Sequence, residues 1–136
     1  MELIKVNTKD AKRFFDNDDF VSKALVKGLK RKDLIATLDN GLHLGVLLDG
    51  ELACIVQVEL QNKHTASLHG YVPVKHRKKA QELYLFVIDR LAKNNIKSFL
   101  IYCNRQVRNF AIKRLGFKEH KQTTHCGEKF FVVIRK

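Results

Sequence analysis

The chain has 136 residues, of which 45% are hydrophobic and 29% charged, and a formal net charge of +12 at pH 7. That length suits one domain, residues 1–136, which can bury about two-thirds of its unfolded surface without disulfide or metal staples. No stretch approaches the roughly 18 uninterrupted apolar residues of a membrane span, and the first residues lack the basic-then-apolar layout of a signal peptide, so a cytoplasmic protein with no membrane partner is expected.

Residues 2–7 (ELIKVN) alternate like a short strand. Thr8 stands where a helix N-cap belongs, with Asp10 in the first turn to favour the dipole. A second acidic start, Asp16 to Asp19, leads into Phe20, Ala24, Leu25 and Leu29 at helical spacing. A third helical piece, RKDLIATLDN, stops at Asn40-Gly41. The pattern then turns to strands. HLGVLL meets ELACIVQVEL across Asp49-Gly50, a two-residue hairpin signature. QNKH (61–64) makes a turn and TASLHGYVPV a further strand. From Arg77 the period is helical, with Ala80, Leu83, Tyr84, Val87, Ile88 and Leu91 forming a broad apolar stripe. Asn94-Asn95 ends it. IKSFLIYC follows as a buried-type strand, then VRNFAIKRLGF as a short helix closed by Gly116. Residues 117–123 and 128–135 form a final hairpin around Cys126-Gly127.

A long helix between strands 65–74 and 97–103 makes those two parallel neighbours. The fold class is therefore α/β: a mixed, mostly antiparallel sheet with one central parallel strand pair and helices on both faces.

Charge is uneven along the chain. Residues 1–60 carry 9 basic and 10 acidic side chains, residues 61–96 carry 7 and 2, and residues 97–136 carry 10 and 2. The whole excess lies after position 60 and draws anions, whether a polyphosphate cofactor, an acidic protein face or nucleic acid. The bland alternative is a lysine-rich solubility face. Three cysteines, Cys54, Cys103 and Cys126, are widely spaced with no CxxC pair, as in a reducing compartment. His120, His125 and Cys126 share one hairpin, but no four-ligand set has zinc spacing, so no metal is expected.

The most informative segment runs from Tyr71 to Ala80 (YVPVKHRKKA). A helix entered straight from a strand end presents unpaired amides and a positive dipole end, which is an anion site. Arg77, Lys78 and Lys79 place three cations there, at a cost of about 0.3–1 kcal/mol each to the helix. A bound phosphate group would offset that cost. The competing explanation is a basic cap on a solvated helix end.

These residues carry a resemblance. Val72 lies five residues before Arg77-Lys78-Lys79-Ala80-Gln81-Glu82, and Asn104 leads through a short helix to Leu115-Gly116-Phe117. The chain resembles the GNAT N-acetyltransferase superfamily over essentially its full length. The first motif matches the family's acetyl-coenzyme A turn and the second its Asn-to-Gly-Phe signature. Both turn glycines are replaced, by Ala80 and Glu82. The Asn104–Gly116 spacing is one residue longer than usual, and Ile112 stands where a catalytic Tyr often sits. Turns of this kind, with a His on the preceding strand, resemble small GNAT proteins common in bacteriophage genomes.

The resemblance implies direct acetyl transfer from acetyl-CoA to an amine. It implies that the strand around Val72 and Val74 holds the acetyl carbonyl and pantetheine arm, and that Arg77, Lys78, Lys79, Ala80, Gln81 and Glu82 hold the pyrophosphate. Asn104 is a further cofactor-binding candidate or a helix cap. Such chemistry needs a base for the incoming amine and an acid for the departing thiolate. His69, whose unperturbed pKa near 6.5 suits deprotonation near neutrality, is the candidate base, or else a hydrogen-bonded sheet histidine. Tyr102 and Tyr71 are the candidate acids. Cys103 and His69 are also candidates to face each other as a thiol–imidazole pair. The acceptor amine is unidentified, and the basic second half favours nucleic acid or an acidic macromolecule as its carrier. A catalytically inactive GNAT-like module gripping such a partner is the alternative. GNAT relatives often pair through sheet edges, so a homodimer is among the partners considered.

Overall fold

The structure, a computed structural model, describes residues 1–6, 42–125 and 128–136. The helices expected across 8–40 and the turn at Cys126-Gly127 lie outside the described residues. Seven strands form one sheet: β1 (Glu2–Lys5), β2 (Leu42–Leu48), β3 (Glu51–Asn62), β4 (Thr65–Tyr71), β5 (Ser98–Cys103), β6 (Lys118–His125) and β7 (Glu128–Arg135), in the order β1-β2-β3-β4-β5-β7-β6. Two α-helices are described, α1 (Ala80–Lys93) and α2 (Arg105–Arg114). The β4–β5 pair is parallel and every other neighbouring pair is antiparallel; the parallel pair has the long crossover through α1 that such a pair needs.

Local chemistry explains the turns. Asp49 and Gly50 take positive φ (53° and 82°), the pair of left-handed residues that a two-residue hairpin loop demands. α2 stops where Gly116 turns left-handed at φ 76°, which lets the amide of Phe117 reach back to the carbonyl of Ala111 at 3.1 Å.

Both described helices pack on one face of the sheet. Leu83, Val87 and Ile88 of α1 are almost fully buried against Cys54, Val56 and Leu68, and the same cluster takes in Ala111 and Leu115 with Phe99, Ile101 and Cys103 of β5. Tyr84 of α1 and Phe110 of α2 meet at a ring-centroid distance of 6.0 Å. Burying a side chain such as Leu83 contributes about 1.5–3 kcal/mol. Among the described residues no helix is long and apolar enough to cross a membrane.

Strand alternation decides what faces away from those helices. On β4, Ala66 and Leu68 join the helix-side core, while Ser67, His69 and Tyr71 point to the opposite face. On β5, Phe99, Ile101 and Cys103 are helix-side, so Leu100 and Tyr102 are not.

Candidate active site

Three residue pairs join β4 to β5: Thr65 with Ser98, Ala66 with Phe99, and Ser67 with Leu100. Beyond them no pairing between these two strands continues among the described residues. β4 instead follows β3, with Tyr71 opposite Ile55, and β5 follows β7, with Cys103 opposite Phe131. Strands that track different partners part company, and the result is a wedge at the centre of the sheet. Beyond Ser67 the edge of β4 turned away from β3, with the N–H and C=O of every second residue, borders that wedge. Backbone donors and acceptors in such a place want partners, and an extended chain bearing amides supplies them as an added strand does.

The wedge opens beside the basic turn. Helical structure starts earlier than the sequence implies, as a 3-10 turn over Val74–Lys79 that runs into α1. Pro73 precedes it with φ −58°, an angle fixed by its ring and suited to start a helical turn. Val74 is therefore not on the strand but opens the turn, and it is exposed. The amide of His76 donates to the carbonyl of Pro73 at 2.9 Å and that of Ala80 to Arg77. In a 3-10 ladder the leading amides are the ones left over, and here they belong to Val74 and Lys75. Helical backbone thus begins at Val74, three residues nearer the strand than the basic run. Arg77, Lys78 and Lys79 are exposed at the surface of the turn, whereas Ala80 is buried in the core.

Contacts on two sides hold the turn in place. Lys75 Nζ donates to both carboxylate oxygens of Glu51 at 2.7 and 2.9 Å, and the largely buried His76 places Nε2 3.7 Å from the same carboxylate. The Lys75 hydrogen bond holds the Glu51 carboxyl below the usual carboxylate range. On the other side, Gln81 Nε2 donates to the carbonyl of Arg114 at 3.1 Å, which ties α1 to the end of α2. Glu82, one residue on, is exposed.

The acid–base candidates gather on the face away from α1. His69 is exposed, yet the protein crowding around it lowers its pKa below 6.5, with the negative charge of Glu59 opposing. Tyr71, two residues on, is buried and its phenol is pushed up to about 12. Tyr102 lies on the same face of β5 and is 37% exposed. Continuing the register from Ser67–Leu100 sets His69 and Tyr102 at the same level, on the two arms of the wedge.

The thiol–imidazole pair is not formed. Cys103 points into the helix-side core while His69 points away from it. Its sulfur contacts the carbonyl of Phe131 at 3.5 Å, and burial pushes the thiol up to about 11. Asn104 caps α2: its Oδ1 accepts from the amide of Val107 at 2.9 Å. That leaves its Nδ2 as the donor on offer. Among the described residues no group of three His, Cys, Asp or Glu is placed to hold a metal ion.

Sequence reasoning missed Glu51 and Glu59. Glu51 reaches its partners across a gap of 24 positions, and Glu59 acts on His69 from the neighbouring strand; neither relation leaves a local signal. Tyr84, read as part of an apolar stripe, lies with its hydroxyl against Gly70, beside the wedge.

No family model matches the chain and no curated protein matches it in sequence. Solved structures match it over nearly its whole length. It is similar to the GNAT-family acetyltransferase from Streptococcus pneumoniae at 15% identity and TM-score 0.64, covering 98% of this chain and 97% of that one. The ribosomal-protein-alanine N-acetyltransferase from Brucella melitensis aligns at 12% identity and TM-score 0.71, covering 99% of both chains. The PaiA N-acetyltransferase from Thermoplasma acidophilum, solved in complex with coenzyme A, aligns at 18% and TM-score 0.70, covering 99% of this chain and 98% of that one. The chain has the fold of the GNAT acetyltransferases, as the two motifs implied.

Proposed function

We propose that the chain is an acetyl-CoA-dependent N-acetyltransferase that passes the acetyl group directly to an amine. The observation that carries this reading is the parting of β4 from β5 after three paired residues, next to a turn rich in exposed cations. Structural relatives solved with coenzyme A and with acetyl-CoA support it. When bound, acetyl-CoA supplies an activated thioester, whose carbon–sulfur bond breaks as the amine nitrogen bonds the carbonyl carbon.

The chain's own residues divide the remaining work. The open edge of β4, with Val72 just after it, pairs with the amide-bearing pantetheine arm. The leading amides of Val74 and Lys75 and the side chains of Arg77, Lys78 and Lys79 take the phosphates, with Ala80, Gln81 and Glu82 continuing the turn and Asn104 Nδ2 available to donate. Neutral His69 accepts a proton from the incoming amine, directly or through water. A phenol stays protonated at neutral pH and can give a proton to the departing thiolate. Tyr71, whose phenol is pushed up to about 12, meets that requirement, and Tyr102 is the more accessible of the two candidate acids. The buried thiols of Cys54 and Cys103 fit a reducing, cytoplasmic setting.

A second reading, a GNAT-shaped binding module without catalysis, draws on one observation: the amides of His76 and Ala80 are already used inside the turn. Titration with acetyl-CoA by calorimetry separates the two. The enzyme binds it in the micromolar to low millimolar range usual for substrates, and Lys78→Glu with Lys79→Glu weakens it by about tenfold or more, the work of one lost charge-assisted contact. No heat of binding at millimolar acetyl-CoA overturns the enzyme reading.

A further inference from the structure

A second cationic feature begins where the first ends. The Gln81–Arg114 hydrogen bond brings the start of α1 to the end of α2, so Lys78 and Lys79 share a corner with Lys113 and Arg114. Arg135 joins them: its Nε lies 3.5 Å from where a Cβ on Gly116 would stand. From that corner, positive charge runs the length of α2. Its ten residues, RQVRNFAIKR, hold four cations and no acid over about 15 Å of helix. Arg105, Gln106, Lys113 and Arg114 are exposed. Arg108 is not available, because it is tied to Glu119 at 2.8 Å and packed over Phe131. Against these cations stand Glu119, already paired, and Glu82, exposed beside Gln81.

A helix that carries Arg105 in its first turn and no acid anywhere gives up the favourable dipole interaction that acidic residues provide there. A small polyanion at the 77–79 turn leaves the α2 cations without a counter-charge. An extended polyanion matches both. The geometry points to a nucleic-acid docking surface, with the sugar–phosphate backbone of a polynucleotide lying along Arg105, Gln106 and Lys113 and reaching the corner at Arg114, Lys79 and Arg135. Arginine, lysine and amide side chains are the groups that hold phosphates and sugars. An acidic protein would need apolar anchors to bind with affinity, and this stripe offers Val107 alone. The surface stands whether or not the acetyl-transfer reading holds.

The test is fluorescence anisotropy of a labelled single-stranded RNA of about 20 nucleotides, without cofactor, over a range of salt. Binding is expected with a log–log salt slope of about −3.5, five phosphates at about 0.7 each. Arg105→Glu with Lys113→Glu lowers the affinity at least tenfold and flattens the slope by about 1.4, the share of two phosphates. Acetyl-CoA affinity and melting temperature stay as in the parent, so a failure of docking is read apart from a failure of cofactor binding. Arg105→Gln with Lys113→Gln gives the same comparison, with a smaller loss, if charge reversal harms the fold. Absence of RNA binding at low salt, binding that both double variants leave unchanged, or displacement by polyglutamate as effective as by RNA overturns the inference.

Discussion

The Tyr84 hydroxyl occupies the space that a side chain at Gly70 would need. The contact pins the second turn of α1 onto β4 at the level where β4 has left β5 behind. Forcing a methyl group into packed structure costs about 1–3 kcal/mol, and truncating a partly buried aromatic such as Tyr84 up to about 3 kcal/mol, the lower end of the range for a buried one. Gly70→Ala and Tyr84→Ala are each expected to destabilise by those amounts in urea unfolding. The double variant should be more stable than their sum predicts, by at least about 1 kcal/mol, because removing the ring makes room for the methyl group. Strict additivity would mean that the two residues do not touch.

His69 is expected to act as a base that is neutral at pH 7, because crowding lowers its pKa below 6.5 against the pull of Glu59. The rate kcat/KM should then be flat from pH 7 upward and fall on the acid side with an apparent pKa under 6.5. Glu59→Gln removes the opposing charge, so the acid limb moves lower still. His69→Ala abolishes the limb and reduces turnover by about 10²–10⁴. Stability carries the same sign. A lowered folded pKa means that the unfolded chain takes up the proton first as pH falls, so the contribution of His69 is complete above 6.5 and is lost through the folded pKa. A pH profile identical in His69→Ala and parent removes His69 from the mechanism.

The parts that were legible in the sequence are those written by short-range backbone chemistry. Asp49-Gly50 announces its hairpin because few residue pairs tolerate two left-handed angles, and Gly116 announces a helix end for the same reason. The parallel pair follows from the length of the chain between residues 71 and 98. What stayed hidden is tertiary. Pro73 suits a strand end as well as the start of a helical turn, so the start at Val74, three residues before the basic run, is not settled locally. The face of Cys103 depends on the register of β5 against β4, and a one-residue change in parity turns a partner of His69 into a core thiol. The extent of the wedge is set by how long β4 and β5 tolerate each other before β3 and β7 claim them. That contest has no local signature.

Asn104 is both a cap and a candidate donor, and the two roles separate by substitution. Asn104→Ala removes the 2.9 Å bond to the amide of Val107 and should cost about 1 kcal/mol of stability. Asn104→Ser keeps a capping oxygen but has no amide to donate, so its melting temperature should match the parent. If Nδ2 holds the cofactor arm, Asn104→Ser still loses acetyl-CoA affinity by several-fold in calorimetry. Equal affinities in the Ser variant and the parent assign Asn104 to capping alone.

Glu82 sets stability against binding. In the first turn of α1 its negative charge complements the helix dipole, and replacing it by glutamine should lower the melting temperature slightly, the effect of a few tenths of a kcal/mol. The same charge stands three residues past Lys79 and repels the phosphates that the turn is proposed to take. Glu82→Gln should therefore bind acetyl-CoA more tightly, by about fivefold at most, which is what roughly 1 kcal/mol of Coulomb repulsion through water allows. The gain should shrink as salt is raised, because exposed charges are screened within about 10 Å at 0.1 M. Weaker binding by the glutamine variant would mean that the carboxylate itself receives a donor from the cofactor, and that the phosphates lie elsewhere.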